Sequence, residues 1–370
     1  MKYRKERTTN MDYKEFKEQF VEAVKDKLEE MDLGDAKVDL QTVNKPNESY
    51  EAMTVTPAGG NVGVNMNVNR FYDAVEDGMP FEEAVNRASE MVDNGIAQMP
   101  EVDIASLKDY EQMKDKLAME VVFSEANAEL LSTVPHQNME DMAVVYRFVL
   151  GKDDNGMASV VVTNSMLESY GVTPEQLHMD ALENAPAIKP VVIQGMTELM
   201  TEMMGDDFAA LGLAMDPADE KMFVATVPDK VQGASVIAYQ DFMDQAAERL
   251  GGDFYILPSS IHEILLVKDD GEANAHDLRN MVMEVNETQV SPEEKLTDSV
   301  YHYDSKDHVF ELGEAFEARQ RDKKASLDEQ SEEKGSVLKD LKDKKKEVAT
   351  ATPAKDAVEK ATKSKGGEAL

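Results

Sequence analysis

The stretch MAVVYRFVLGKDDNGMASVVVTN, Met142 to Asn164, decides how this chain folds. Two runs rich in valine and aromatic residues flank Asp154-Asn155-Gly156. Asn-Gly between β-rich runs is the strongest short-range hairpin signal, because both turn residues must reach positive φ. The chain then continues into SMLESYGVTPEQLHMDALENA, where Thr173, Pro174 and Gln176 form a capping box with proline at the first helical position. Two antiparallel strands followed by helix is therefore the local rule.

The same shape recurs near 50–78, 142–184, 222–251 and 253–290. In the first, EAMTVTP and VGVNMNV flank the turn AGGN; in the third, MFVATVP and GASVIAY are expected as the strands. The stripe Tyr239, Phe242, Met243, Ala246, Ala247 and Leu250 makes the third unit's helix, and Leu278, Met281, Val282 and Val285 the fourth's. Before these units, Phe16, Phe20, Val24 and Leu28 recur every fourth residue on an amphipathic helix of roughly 12–31. A second helix buries Phe81, Ala84, Val85, Ala88, Met91 and Val92, and a third is expected through Leu107–Lys116. Ser291, Pro292 and Glu294 repeat the capping-box pattern. Short turns between neighbouring strands argue for mostly antiparallel sheets with helices packed on a face. The fold class is α+β, built from repeated strand-strand-helix units.

Composition sets the organisation. Residues 1–10 read as a basic disordered N-terminus, 11–116 as an N-terminal α+β lobe and 117–312 as a larger α+β lobe. Residues 313–370 form a charged low-complexity tail, helical or disordered. Leu327, Val337, Leu338 and Leu341 sustain no heptad there, which argues against a coiled coil. Of 39 basic and 74 acidic residues, 14 and 13 fall in 313–370, leaving 25 and 61 in 1–312, a body charge of −36. Such a body repels phosphate backbones and anionic membranes, so neither nucleic acid nor membrane is an expected direct partner. It would suit an acidic polyanion mimic that occupies a nucleic-acid-binding protein. The absence of cysteine excludes disulfides, thiolate metal sites and cysteine nucleophiles. No run approaches the roughly 18 apolar residues of a membrane span, and no apolar segment follows the basic N-terminus, so a cytoplasmic protein is expected.

Candidate chemistry concentrates in YILPSSIHEILLVKDDG, Tyr255 to Gly271. Ser259, Ser260, His262 and Glu263 would supply a nucleophile, a base and an orienting carboxylate. On an extended chain, however, Ser260 and His262 share one face while Ser259 and Glu263 share the other. A self-contained triad fails on that geometry, and a serine-dependent hydrolase using Ser260 and His262 needs a third member elsewhere. The bland reading is a bend at Pro258-Ser259-Ser260 whose hydroxyls satisfy turn N–H groups. His262-Glu263 begins like a zinc motif, yet position 266 is leucine, so no metal is expected. His302 and His308 come together only across a three-residue loop. KDDNG and KDDG lack the alternating ligands of a calcium loop, and AGGNVG lacks the lysine of a phosphate loop. No cofactor is expected.

Methionine numbers 24, and Met196, Met200 and Met203 lie with Leu199 on one stripe of TELMTEMMG. Soft unbranched side chains suit either core packing or a groove that accepts varied partners. A non-enzymatic protein-interaction role is the leading expectation, with a protein as the partner.

Three segments carry a resemblance: VVYRFVLGKDDNGMASVVVTNSMLESYGVTPEQLHMDALENA, FYILPSSIHEILLV and RNMVMEVNETQVSPEEKLTDSVYHYD, together about 140–304. They resemble a family of uncharacterised bacterial proteins known only as a domain of unknown function. The resemblance implies a cytoplasmic protein of Gram-positive gut-type bacteria, often associated with mobile elements. It implies no activity, catalytic residue or cofactor. The first segment also loosely resembles a second uncharacterised bacterial family.

Overall fold

The computed structural model describes residues 11–60, 62–99, 106–153, 156–205 and 219–326, together with 342 and 344. These residues fall into two compact units that divide between Glu314 and Ala315. In the second unit 315–326 are helical. The expectations for 1–10, for Asp154-Asn155 and for Leu327, Val337, Leu338 and Leu341 lie outside the described residues.

The first unit opens with helix α1, Tyr13–Glu30, which starts where the Asp12 side chain accepts a hydrogen bond from the Glu15 N–H. Its expected stripe, Phe16, Phe20, Val24 and Leu28, is buried. Strands β1 (Lys37–Lys45), β2 (Glu48–Thr56) and β3 (Val64–Asn67) form a three-stranded antiparallel sheet in that order. Pro46-Asn47 turns β1 into β2, with proline presetting its own φ and Asn47 taking φ 62°. Helices α2 (Val68–Glu76) and α3 (Phe81–Ala97) close this core over Met53, Val55 and Met66. Met91 is 52% exposed, against the expectation. It lies roughly a quarter-turn from the centre of the face that buries Ala84, Val85, Ala88 and Val92.

The expected helix through Leu107–Lys116 is broken. Only Tyr110–Met113 is α-helical (α4), between 3-10 turns at Ser106–Lys108 and Lys114–Lys116. Then come β4 (Leu117–Phe123), α5 (Ala128–Thr133), β5 (His136–Met139), β6 (Met142–Asp153) and β7 (Gly156–Val161). The long β6 is the centre of this sheet. It pairs with β4 on one side, and with β5 and then β7 on the other. Register Asp153↔Gly156 places the β6–β7 hairpin where Asn-Gly predicted it. Helix α6 (Asn164–Tyr170) ends at Gly171, whose φ of 67° is the left-handed geometry glycine reaches without penalty. Helix α7 (Pro174–Ile188) begins with the expected cap, the Thr173 hydroxyl accepting from the Gln176 N–H at 3.2 Å.

The remaining elements are β8 (Val192–Gly195), α8 (Met196–Met204), β9 (Met222–Thr226), α9 (Phe242–Leu250), β10 (Phe254–Leu257), β11 (Ile264–Lys268), α10 (Ala275–Thr288), β12 (Tyr301–Asp304) and β13 (Val309–Leu312). Six of these strands form an antiparallel sheet ordered β13-β12-β10-β11-β9-β8. The alternation of β10 and β11 explains its burial on both sides. Phe254, Ile256, Ile264 and Leu266 enter the main core shared with the β4–β7 sheet. Tyr255, Leu257, Leu265 and Val267 pack beneath α10, with Ala275, Leu278 and Val282. The fold is α+β with antiparallel pairing throughout the described residues.

Three local expectations are overturned. GASVIAY is not a strand: Gly233–Ala238 is a 3-10 helix, because β9 already has β11 on one side and β8 on the other, so no edge is left for it. Ser291-Pro292 caps no helix. Lys295 is drawn instead into a bridge with Ser260, which holds 292–294 as a turn. On α10 the buried line is Leu278, Val282 and Asn286, which leaves Met281 and Val285 on an exposed flank.

Candidate functional site

The loop 258–263 joins β10 to β11 and carries every candidate catalytic residue. It is neither an extended strand nor a free turn. The Ile261 N–H donates to the Glu294 carbonyl at 2.8 Å, and the Leu296 N–H donates to the Ser259 carbonyl at 2.9 Å. The Ser260 hydroxyl accepts from the backbone N–H of His262 at 3.0 Å, the local hydroxyl-to-backbone bond that serine favours in turns. His262 Nδ1 accepts from the Gln232 N–H at 3.3 Å, which assigns the ring proton to Nε2, 3.5 Å from a Glu294 carboxylate oxygen. The loop thus brings Ser260 to the backbone of His262, and no hydrogen bond among the described residues joins that hydroxyl to the ring. Glu263 is exposed, apart from the histidine's partners.

What His262 does touch is a strained turn. Lys230 and Gln232 both adopt left-handed φ, 55° and 53°, which costs non-glycine residues about 1–2 kcal/mol each. The turn is fixed by Lys189, whose ammonium donates to the Val231 carbonyl at 2.7 Å, and by Asp229, which accepts from the Val231 N–H. Gly233 follows, wedged so tightly that a Cβ there would lie 2.1 Å from Thr226 Oγ1 and 2.3 Å from the His262 carbonyl. Thr226 itself donates to that carbonyl at 2.8 Å.

Beneath this turn lies Glu120, on strand β4, six of whose seven residues are buried. Its neighbours include Arg147 Nη1 at 3.4 Å, and Arg147 is held in turn by the Ser159 hydroxyl. Burial pushes the Glu120 carboxyl well above the usual range, against the pull of Arg147 and Lys189. Sequence reasoning passed over this group. The signal was a lone glutamate in the apolar run LAMEVVF, but its partners Arg147, Lys189 and Gln232 come from 27 to 112 residues away and no spacing announces them. A strained turn over a buried carboxylate, with two cations drawn toward that carboxylate, is an arrangement found at functional sites and at structural latches alike. Here the Ser260 hydroxyl and His262 Nδ1 bond backbone N–H groups of 258–263 and 229–233, while His262 Nε2 faces the exposed Glu294 carboxylate.

The other histidines behave as single residues. The β12–β13 loop has four residues, so His302 and His308 separate: His302 is fully buried with Nε2 3.0 Å from Asp269, and His308 is exposed beside Asp244. Among the described residues no group of three or more His, Asp or Glu is placed to hold a metal ion. No helix of the described residues is long and apolar enough to cross a membrane.

The methionine stripe has a different setting. Helix α8 follows β8, the outer strand of the six-stranded sheet, and contains no buried residue. Met203 is 73% exposed, Met204 39%, while Met196, Leu199 and Met200 are half-buried. Its N-terminus is anchored by Glu220, whose carboxylate accepts from the Thr197 N–H at 2.9 Å. Between Lys189 and Lys221 the sequence holds seven acidic residues (198, 202, 206, 207, 216, 219 and 220) and no basic one. On α8 itself the charged residues are Glu198 and Glu202, with no cation among its nine.

The family model for a family of unknown function, DUF5688, matches residues 13–305. The chain belongs to that family. The DUF5688 match takes in the three-stranded lobe with α1 as well as both larger sheets, so it extends well to the N-terminal side of the three resembling segments. No curated protein and no solved structure matches the chain.

Proposed function

We propose that this chain is a cytoplasmic, non-enzymatic protein-binding protein that docks a basic amphipathic helix on the methionine face of α8. The observation that carries the reading is that α8 buries none of its residues although four of its nine are methionine and one is leucine. Methionine side chains adapt to varied apolar surfaces without loss of contact. The surrounding stretch, acidic and without a single Lys or Arg, selects for a cationic partner and repels an anionic one. An amphipathic helix presents the matching combination, an apolar stripe edged by Lys or Arg. The cysteine-free composition suits a reducing compartment. The backbone hydrogen bonds of Ser260 and His262 support a structural role for the β10–β11 loop rather than the hydrolase alternative.

The test is a titration of protein labelled at its methionine methyl groups with two synthetic helical peptides, one Lys/Leu and one Glu/Leu of equal length. The Lys/Leu peptide should shift the Met196, Met200 and Met203 methyl resonances, with binding that weakens as salt rises. The Glu/Leu peptide should leave them in place. Equal response to both peptides, or response to neither, overturns the reading.

A further inference from the structure

A second candidate site lies in the N-terminal part of the chain, within residues 45–91. A cavity of about 430 Å³ opens between the β1–β2–β3 sheet and helices α2 and α3. Its floor is the buried Tyr50 and Met66, and Phe71 forms a wall. Lys45, Arg70 and Arg87 stand at its rim, and Glu48 is the one acidic residue in its lining. Residues 11–99 contain 8 basic and 19 acidic side chains, a charge of −11, and their only two arginines are these two. Both arginines and one of six lysines thus converge on a cavity of charge +2 within a strongly acidic lobe.

Arg70 is only loosely paired. Arg70 faces Glu48 at 3.3 Å and Glu293 at 3.5 Å, both long against the roughly 2.7–2.9 Å of a charge-assisted bond. Arg87 pairs with Glu83 one turn away on the helix surface, a contact that contributes only tenths of a kcal/mol. The Lys45 ammonium sits over the Tyr50 ring, 5.4 Å from its centroid. A guanidinium fork offers paired donors to a carboxylate, and an aromatic and thioether floor takes an apolar body. The volume falls in the range of small-molecule sites, about 300–1,000 Å³.

We propose that this cavity binds a small amphipathic organic acid, its carboxylate held by Arg70 with Lys45 and its apolar body resting on Tyr50, Met66 and Phe71. The site is independent of α8, and the same labelling separates the two, because Met66, Met79 and Met91 line the cavity. Octanoate, octanol and octylamine are titrated into the full chain carrying labelled methionine methyls. Octanoate should shift Met66, Met79 and Met91 and leave Met196, Met200 and Met203 unmoved. Octanol and octylamine should leave Met66, Met79 and Met91 in place. Arg70→Gln should weaken octanoate at least about tenfold, the effect of losing a charge-assisted pair. Lys45→Gln, at an exposed residue, should weaken it by a smaller factor with the thermal midpoint unchanged, so the proposal does not depend on one variant's folding. Shifts of Met66, Met79 and Met91 as large with octanol or octylamine as with octanoate would overturn it, as would octanoate affinity that survives both substitutions or no shift at the cavity methyls.

Discussion

Helices α1 and α8 carry the same kind of pattern and meet opposite fates. In α1, Phe16, Phe20, Val24 and Leu28 stand every fourth residue, and all four are buried. In α8, Met196, Met200 and Met203 follow nearly the same spacing, and none is buried. Periodicity fixes which residues share a face, because the backbone repeat does. It does not fix whether anything covers that face. α1 is covered by α2, α3 and the three-stranded sheet; among the described residues α8 meets β8 and β9 and buries none of its side chains. The composition differs accordingly: rigid aromatic and branched side chains where packing is fixed, flexible thioethers where it is not.

The largest effect should come from breaking the covered face. Phe20 is fully buried, stacked near Phe16 and tilted against Phe71 with centroids 5.1 Å away in each case. Phe20→Ala removes that transfer energy and leaves a cavity, a loss of about 3–5 kcal/mol. Urea unfolding followed by circular dichroism should show it. A loss under about 1 kcal/mol would mean that the aromatic cluster is not the lobe's core.

A buried charge tests the same contrast from another side, since β4 is covered on both faces and still carries Glu120. Burial raises the folded carboxyl's pKa above its ordinary value. The protonated form is then favoured in the fold, so this group's stability contribution is fully present below the ordinary carboxyl range. It is lost as pH rises through the folded pKa. Glu120→Gln holds the neutral state at every pH. Relative to wild type, the variant should become steadily more stable as pH rises from about 4 to the folded value, and the difference should level off above it. Paired urea midpoints at each pH measure the difference and cancel the other carboxylates. A difference that stays flat, or that falls with rising pH, contradicts the burial argument.

Much of the architecture was legible because it rests on local chemistry. The Asn-Gly hairpin, the Thr173 cap and the α1 stripe each need only neighbouring residues, and each stands where expected. The misreadings were competitions decided by distant residues. GASVIAY has strand composition, but both sides of β9 were already taken. Ser291-Pro292-Glu293-Glu294 has capping chemistry, but Lys295 is claimed by Ser260. For the site, the alternation reading assumed an extended chain, whereas 258–263 is a bent loop between β10 and β11. Nor could alternation reveal that Gln232 holds the His262 ring, or that Glu120 lies beneath the turn. Those contacts depend on which loops meet over the sheet, and a single sequence carries no periodic trace of that.

The smallest effect should fall on the uncovered face, and its smallness is the informative part. Met203 keeps 73% of its surface in water, so Met203→Ala removes little buried area and should change stability by no more than about 0.5 kcal/mol. Met200, half-buried on the same helix, should cost more when truncated, which places the three side chains in the order Phe20, Met200, Met203. If α8 is a docking face, Met203→Ala should nevertheless weaken the Lys/Leu peptide while the urea midpoint stays put. A residue that stabilises the fold loses both together. A residue held exposed for a partner loses only peptide binding, and a Met203→Ala protein that binds the peptide undiminished would leave α8 as surface and nothing more.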